Sequence, residues 1–313
     1  MSDFKFDIPF KSDLAPTMLT EKSVIKFRCH KEIECFNACC KHADVTLAPY
    51  DIIRMKNALG MTSEEFLKAH TVPFQMDAHG MPGIKLRTDN EGACLFMKEG
   101  EGCGIYEDRP SACRYYPAGL LAMKPTEKPG DENHFFLIKE DHCKGHEEDR
   151  EITIADYRKE QEVEEFDDHN QRWYQHILKK KSGGPAIGKP SEMSLQLFFM
   201  ASYDVDRFRR FVMSDSFKNT YAFDESFYES MQNDLNLLEF GLDFLHQILF
   251  GEKKFDEKDG AWEKRMEERQ EIWELRREVE VKKYEEEKEE ALRAATLGDG
   301  ETACDGDSEC TPN

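Results

Sequence analysis

Apolar positions in the first half of the chain follow short, mixed rhythms, and after residue 143 they settle into helical spacing. In TLAPYDIIRMKNALG (46–60), Ile52, Met55 and Leu59 return to one face, Pro49 suits a first turn and Gly60 a stop. A helix is predicted there, packed beside the cysteine-rich segment that precedes it. TSEEFLKAH (62–70) opens on Thr62 with Glu65 three residues later, the signature of a capping box, so a second short helix follows. GMPGIKLRT (80–88), GACLFM (92–97) and NHFFLI (133–138) read as short strands bounded by turn residues. The expected fold class is α+β, a small mixed unit followed by a mostly helical region.

In the second half, TIADYRKEQEVEEFDDHNQRWYQHILKKK (153–181) offers Thr153 as N-cap, and Tyr157, Val163, Phe166, Trp173 and Ile177 near helical spacing. It ends in lysines, as the helix dipole favours, and one long helix is predicted. SGGPAIGKP (182–190) reads as a linker or sharp turn. Two amphipathic helices are expected at 191–212 and 225–250, with LNLLEFGLDFLHQILF apolar enough to be buried. From Asp256 to about Ala295 the chain is rich in Glu, Lys and Arg, with Glu278–Lys282 and Glu289–Arg293 in favourable i to i+4 order. Sustained apolar a and d positions are missing, so a solvated helix is expected rather than a coiled coil. The organisation read from these shifts is an N-terminal extension (1–26), a cysteine-cluster domain (27–150), a helical region (151–255), a charged helix (256–297) and a disordered acidic tail (298–313).

Charge narrows the partners. The 313-residue chain is 34% charged with a formal net charge of -21, which argues against nucleic acid and against an anionic membrane surface. The C-terminal helices are the expected platform for a protein partner. The first residues, MSDFKFDIPFKSDLAPTMLTEKS, lack a basic start followed by an apolar stretch, and no run approaches a membrane span. The expected compartment is the cytoplasm, where thiols stay reduced and clustered cysteines point to metal binding or catalysis.

Ten cysteines occur, eight of them between Cys29 and Cys143: Cys29, Cys35, Cys39, Cys40, Cys94, Cys103, Cys113 and Cys143. Two more, Cys304 and Cys310, lie in the tail. Cys35 and Cys39 are four apart, which on a helical turn sets both sulfurs on one face. In CLFMKEGEGCGIYEDRPSACRYYP (94–117), Pro110 can open a tight helical turn that projects Cys113, and Pro117 can stop it. A four-thiolate zinc or iron-sulfur centre is anionic, and Arg109 and Arg114 can balance that charge; the competing reading pairs them with Glu107 or Asp108 at the surface. Eight thiolates suffice for two four-cysteine sites, or for one site with thiols to spare. Only Cys35–Cys39 has the close spacing usual for zinc, and iron-sulfur ligation tolerates longer gaps, so an iron-sulfur cluster is the expected cofactor, with zinc the alternative. His30, His42, His142 and His146 flank the cysteines at polar loop positions, and Cys143-x-x-His146 has ligand-like spacing, which ranks His146 first among them.

The cluster ending in Cys39-Cys40, then LAPYDIIRMKNALG, CLFM, GCGIYEDRPSACRYYP and a last Cys143 before Gly145, resembles the YkgJ-type cysteine-cluster family. That family is described as zinc- or iron-chelating and also as containing iron-sulfur clusters. The resemblance covers roughly residues 27–146, with its parts in family order. The family pattern is Cys-x-x-Cys-x-x-Cys-Cys, whereas five residues separate Cys29 from Cys35 here and three separate Cys35 from Cys39. The resemblance implies that Cys29, Cys35, Cys39 and Cys40 form a first ligand group, Cys94, Cys103 and Cys113 a second, and that Cys143 closes the set. The cysteine region also resembles, more distantly, a family of flagellin lysine methylases, which leaves an enzyme as the alternative function. No glycine-rich nucleotide fingerprint, phosphate-binding loop or His-Glu-x-x-His occurs, and no catalytic residue stands out. The carboxylates from Glu162 to Asp168 read as a solvated helix face. A thiol-exchange protein would need a Cys-x-x-Cys motif, which is also lacking.

Overall fold

The computed structural model describes residues 18–77, 80–121, 134–182, 190–261, 263, 277–279, 281–286 and 288–289. In chain order these form β1 (Val24–Lys26), α1 (Ala38–Lys41), α2 (Pro49–Leu59), α3 (Ser63–His70), β2 (Thr71–Gln75), β3 (Pro82–Leu86), β4 (Met97–Lys98), β5 (Gly102–Cys103), α4 (Ser111–Tyr115), β6 (Ala118–Leu121), β7 (His134–Leu137) and β8 (Glu151–Thr153). The helices α5 (Ile154–Glu160), α6 (Glu164–Ser182), α7 (Glu192–Tyr203), α8 (Val205–Val212), α9 (Asp215–Thr220), α10 (Glu225–Ser230) and α11 (Asp234–Phe250) follow. The strands form antiparallel pairs, β1 with β8, β2 with β3, β4 with β5 and β6 with β7. The class is α+β, with the helices concentrated after β8.

Two compact units divide the chain, residues 1–218 with 223–256, and residues 219–222 with 257–313. In the second, Tyr221 bridges Glu257, and the described helical residues between 277 and 289 are exposed, as a solvated charged helix should be. Residues 183–189 of the expected linker and all of the acidic tail lie outside the described residues.

Local signals in the first unit took effect where the partners are near in sequence. Gly60 stops α2 at φ +64°, and α3 opens on the reciprocal pair Glu65 N–H to Thr62 Oγ1 (3.3 Å) and Thr62 N–H to Glu65 Oε2 (2.9 Å). The prediction fails where distant groups intervene. The helix expected over 153–181 breaks into α5 and α6 at Glu162, which takes φ +53°, because Arg114 and Arg109 claim the carbonyl and side chain of Gln161. The helix expected at 191–212 breaks at Asp204, whose carboxylate accepts from the Ser63 hydroxyl (2.6 Å) and caps α8. That expected at 225–250 breaks at Asn233, which accepts from Leu235 N–H and Asn236 N–H to start α11.

α2 packs against α3, α6 and the 3-10 turn Tyr106–Asp108. It therefore supports the second cysteine segment, where the sequence placed it beside the first. Ile25, Phe27, Tyr115, Phe135, Ile154, Tyr157 and Val163 form one buried cluster that ties β1, β7 and α5 together behind the cysteines. Farther along, Leu237, Leu238, Phe240, Leu242, Phe244 and Leu245 of α11 are buried as their apolar run requires. Gly241 lets α11 come close to its neighbours, since a Cβ there would sit 3.1 Å from the Phe208 ring.

His176 of α6 is buried beside His246 of α11, with Nε2 3.2 Å from the His246 Nδ1, and His246 in turn reaches Glu252 (2.7 Å). Burial first, and then His246, push the His176 pKa down to about 4. The unfolded chain then binds the extra proton between about pH 6.5 and 4, so this site's contribution to stability is complete above that window and is lost as pH falls through it. In acid titrations of stability, His176→Gln is expected to flatten this part of the profile; an unchanged slope would reject the buried-histidine account.

Candidate metal centre

The first cysteine segment is pinned by Asn37, which is buried at φ +69° and donates through Nδ2 to the Lys98 carbonyl (3.0 Å) on the β4–β5 hairpin. Helix α1 starts only at Ala38, so Cys35 lies in the preceding turn and does not share a helical face with Cys39, contrary to the spacing argument. Cys39 and Cys40 stand with their sulfurs 3.9 Å apart. The Cys40 carbonyl accepts the Cys94 N–H (2.8 Å), which brings the second segment alongside the first. From Cys94 the chain turns through Met97 N–H to Cys94 O (3.0 Å) into the hairpin, where Met97 faces Cys103 across the ladder. Gly102 holds φ +105° beneath the Phe36 ring, where a Cβ would come within 3.2 Å.

Cys113 is carried by α4, the short helical turn expected after Pro110. Asp51, at 0% exposure, anchors that turn: its carboxylate accepts from Ser111 N–H (2.9 Å), the Ser111 hydroxyl (3.1 Å) and Ala48 N–H (2.8 Å). One buried carboxylate thus caps α2 and α4 together. Cys143 enters from the far end of the domain. Arg28 N–H donates to Gly145 O (3.0 Å) and Lys144 N–H to the Cys35 sulfur (3.2 Å), which gathers Cys29, Cys35 and Cys143. The Tyr116 hydroxyl faces Cys143 and Glu140.

The electrostatics of the thiols reflect crowding. Cys29 is pushed up to about 11 by burial, and then by Cys39, Cys35 and Cys143. Burial, then Cys94, Cys103 and Cys39, push Cys113 far up, and Cys94 and Cys103 are raised mainly by burial. The contact between the Cys39 and Cys40 sulfurs lowers Cys39 to about 7 and raises Cys40 strongly. Cys39 forms a thiolate most readily, and Cys29, Cys40, Cys94, Cys103 and Cys113 resist becoming further anions. A cation among them would reverse that resistance, so the donor set fits a thiophilic metal. Among the described residues no group of three or more His, Cys, Asp or Glu side chains is set to hold a metal ion.

The two arginines occupy different positions. Arg114, 1% exposed, donates to the carbonyls of Arg109 (3.0 Å), Gln161 (2.9 Å) and Glu107, and lies over the Phe166 ring at 4.3 Å. Arg109 donates to Tyr106 O (2.6 Å) and Gln161 Oε1 (2.8 Å), and its charge reaches Cys103. Asp108 pairs with Arg54 (2.9 Å). Of the flanking histidines, His30 lies between Glu32 and Glu148, His142 beside Glu140, and His146 uses Nε2–H on the Ile138 carbonyl (3.1 Å). Asn37 and Asp51 were not singled out from sequence; the available signal for Asp51 was its place three residues after Ala48, where a carboxylate can cap the start of α2.

Elsewhere in the first unit, a groove of roughly 580 Å3 is lined by Lys68, Arg87, Phe199, Arg207 and Arg210 among others, and by no cysteine. Among the described residues no helix is long and apolar enough to cross a membrane.

Comparison with curated proteins and with solved structures returned no match. Residues 28–144, which span all of the thiols just described, match the profile of a cysteine-cluster family, CxxCxxCC, whose description reads "Putative zinc- or iron-chelating domain". That segment is therefore similar to a zinc- or iron-chelating domain, in agreement with the cysteine-cluster resemblance read from the sequence.

Proposed function

We propose that residues 27–146 form a metal-binding module that holds an iron-sulfur cluster through its cysteine thiolates, in a structural or electron-transferring role, with the C-terminal helices as the surface for a protein partner. The observation that carries this reading is the gathering of thiols from four separated segments into mutual electrostatic reach. The donors are sulfur throughout, and the long gap from Cys113 to Cys143 is of the kind iron-sulfur ligation accommodates. When bound, such a group supplies a one-electron couple. The chain's own residues do the positioning: Asp51 and Asn37 fix the turns that carry Cys113 and Cys39, Phe27 and Tyr157 belong to the buried cluster against which Cys143 packs, and Phe36 lies over Gly102 beside Cys103. Arg109 is the cation placed to offset charge near Cys103.

Zinc is the second reading, and one distance favours it. A tetrahedral ion with Zn–S bonds of about 2.3 Å holds its sulfurs about 3.8 Å apart, close to the 3.9 Å between Cys39 and Cys40. Anaerobic purification followed by iron, zinc and acid-labile sulfide analysis separates the two. Iron with matching sulfide and a brown colour is expected; zinc without sulfide would favour the second reading, and absence of either metal would reject both. Cys103→Ser and Cys113→Ser are each expected to lose metal and to melt at lower temperature, because binding is coupled to folding of the site. Full metal content in both variants would remove these thiols from the ligand set.

A further inference from the structure

We infer that the groove bordered by α3, the β2–β3 hairpin and α8 docks a short acidic peptide segment of a protein partner, one that carries an apolar side chain among its carboxylates. The inference rests on the partner half of the reading above and not on the metal, and it narrows the partner surface from the C-terminal helices at large to this one groove.

Periodicity places the lining residues. On α3, Leu67 and Lys68 stand three and four positions after Glu64 and share its face. In the hairpin Pro73 pairs with Ile84, and residues paired across a ladder project to the same side of it. On α8 the apolar face of Val205, Phe208 and Val212 is buried, which leaves Arg207 and Arg210, three apart, exposed. Helix α3 packs on β2 and on α8, and α7 packs on β3, so these faces meet around a space of roughly 580 Å3 with Phe199 of α7 in its lining.

Charge selects the occupant. Four cations, Lys68, Arg87, Arg207 and Arg210, border the groove in a chain whose net charge is -21. Two carboxylates stand against them. Asp204 is buried and already accepts from the Ser63 hydroxyl (2.6 Å), and Glu64 meets Arg210 at 3.5 Å with both side chains exposed. Among the described residues Lys68, Arg87 and Arg207 have no carboxylate partner. Arg87 is nevertheless held in place: its Nη2 donates to the carbonyls of Lys68 (3.1 Å) and Thr71 (2.8 Å), which sets the guanidinium at the end of α3 and leaves its other N–H groups for an incoming carboxylate. Leu67, Pro73, Ile84 and Phe199 supply an apolar lining between the cations. A small inorganic anion would leave that lining uncovered. Nucleic acid, with one charge for about every 1.7 Å of duplex, would run past four cations onto a chain that is otherwise acidic. A short acidic peptide with one apolar anchor satisfies both the charge and the lining.

The probe is a fluorescein-labelled heptapeptide, Glu-Asp-Glu-Phe-Glu-Asp-Glu, titrated into the full-length chain at low salt and followed by fluorescence polarisation. Three labelled controls accompany it: the peptide with Lys for every acidic residue, the peptide with Ala for Phe, and a heptathymidine oligonucleotide. Saturable binding of the acidic peptide is expected, weakened about tenfold by Arg207→Glu and by Lys68→Glu, and weakened again as salt is raised, because exposed charges are screened. The alanine peptide should bind less tightly. Lys159→Glu, an exposed reversal on α5 outside the groove lining, should leave the affinity unchanged. Thermal melts check each variant, and Lys68→Glu, on a different helix, carries the comparison if Arg207→Glu fails to fold. Absence of saturable binding, equal weakening by Lys159→Glu, equal affinity for the alanine peptide, or tighter binding of the lysine peptide or the oligonucleotide overturns the docking site. Metal per chain is measured on the same preparations and should not change with the groove variants. Failure of peptide binding in a metal-bearing chain therefore rejects the groove alone, and groove-dependent binding in a chain without metal rejects the metal reading alone.

Discussion

Asp51→Ala is expected to lower the unfolding free energy by about 2–4 kcal/mol, because it leaves the starts of two helices without their acceptor at once. Three donors converge on the carboxylate, Ala48 N–H, Ser111 N–H and the Ser111 hydroxyl, and alanine offers them nothing. The loss is held below the sum of three orphaned donors because burial already works against the charge and pushes the Asp51 pKa up to about 6. The pH dependence has a definite sign. With its folded pKa raised, Asp51 binds a proton more tightly in the native state, so its contribution is largest near pH 4 and declines as pH rises through about 6. The deficit of Asp51→Asn relative to wild type should shrink over the same window. Urea unfolding at several pH values measures both effects, and a variant as stable as wild type throughout would show that α2 and α4 hold together without this cap. Loss of metal should accompany the loss of stability, since α4 carries Cys113.

The cysteine framework was legible in the sequence because its signals are local: an adjacent pair, a proline-bounded turn, and a capping box that folded as read. The helical breaks were not. Nothing within a few residues of Gln161 announces that Arg114, far earlier in the chain, will hold its carbonyl, so the periodicity of Tyr157, Val163 and Phe166 ran through the break unmarked. Asp204 and Asn233 are capping residues by type, yet each sits inside an apolar pattern that continues on both sides, and the pattern outweighed the cap. The spacing of Cys35 and Cys39 misled for a related reason. Asn37 between them adopts a left-handed conformation, made favourable by its bond to the distant Lys98 carbonyl, and that single residue takes Cys35 out of the helix. The resemblance implied a first ligand group of Cys29, Cys35, Cys39 and Cys40, and it gave no sign that Lys144 N–H would reach the Cys35 sulfur or Cys94 N–H the Cys40 carbonyl. Such cross-connections depend on which loops meet, and spacing alone does not encode that.

Arg114→Ala is expected to destabilise the domain by about 3–5 kcal/mol, because three carbonyls lose their donor at about 1–3 kcal/mol each. The side chain is 1% exposed, and its guanidinium fork joins the carbonyls of Glu107, Arg109 and Gln161, so it laces the turn before Cys113 to the end of α5. Two roles can be separated by substitution. If the residue matters for its charge, as a counterweight to anionic thiolates, then Arg114→Lys should restore stability, and Arg114→Ala should shift the reduction potential of the metal centre. If it matters as a fork, lysine should fail, because one ammonium cannot reach three carbonyls set in different directions. The geometry favours the fork. Burial, and then the neighbouring charges of Arg109 and Arg54, weigh against the cation and lower its pKa, so retaining it there needs directed acceptors. Arg109, whose charge does reach Cys103, is the better candidate for tuning the centre. Urea unfolding of the alanine and lysine variants decides the matter: comparable losses support the strut, and full rescue by lysine would return Arg114 to the role of a counter-ion.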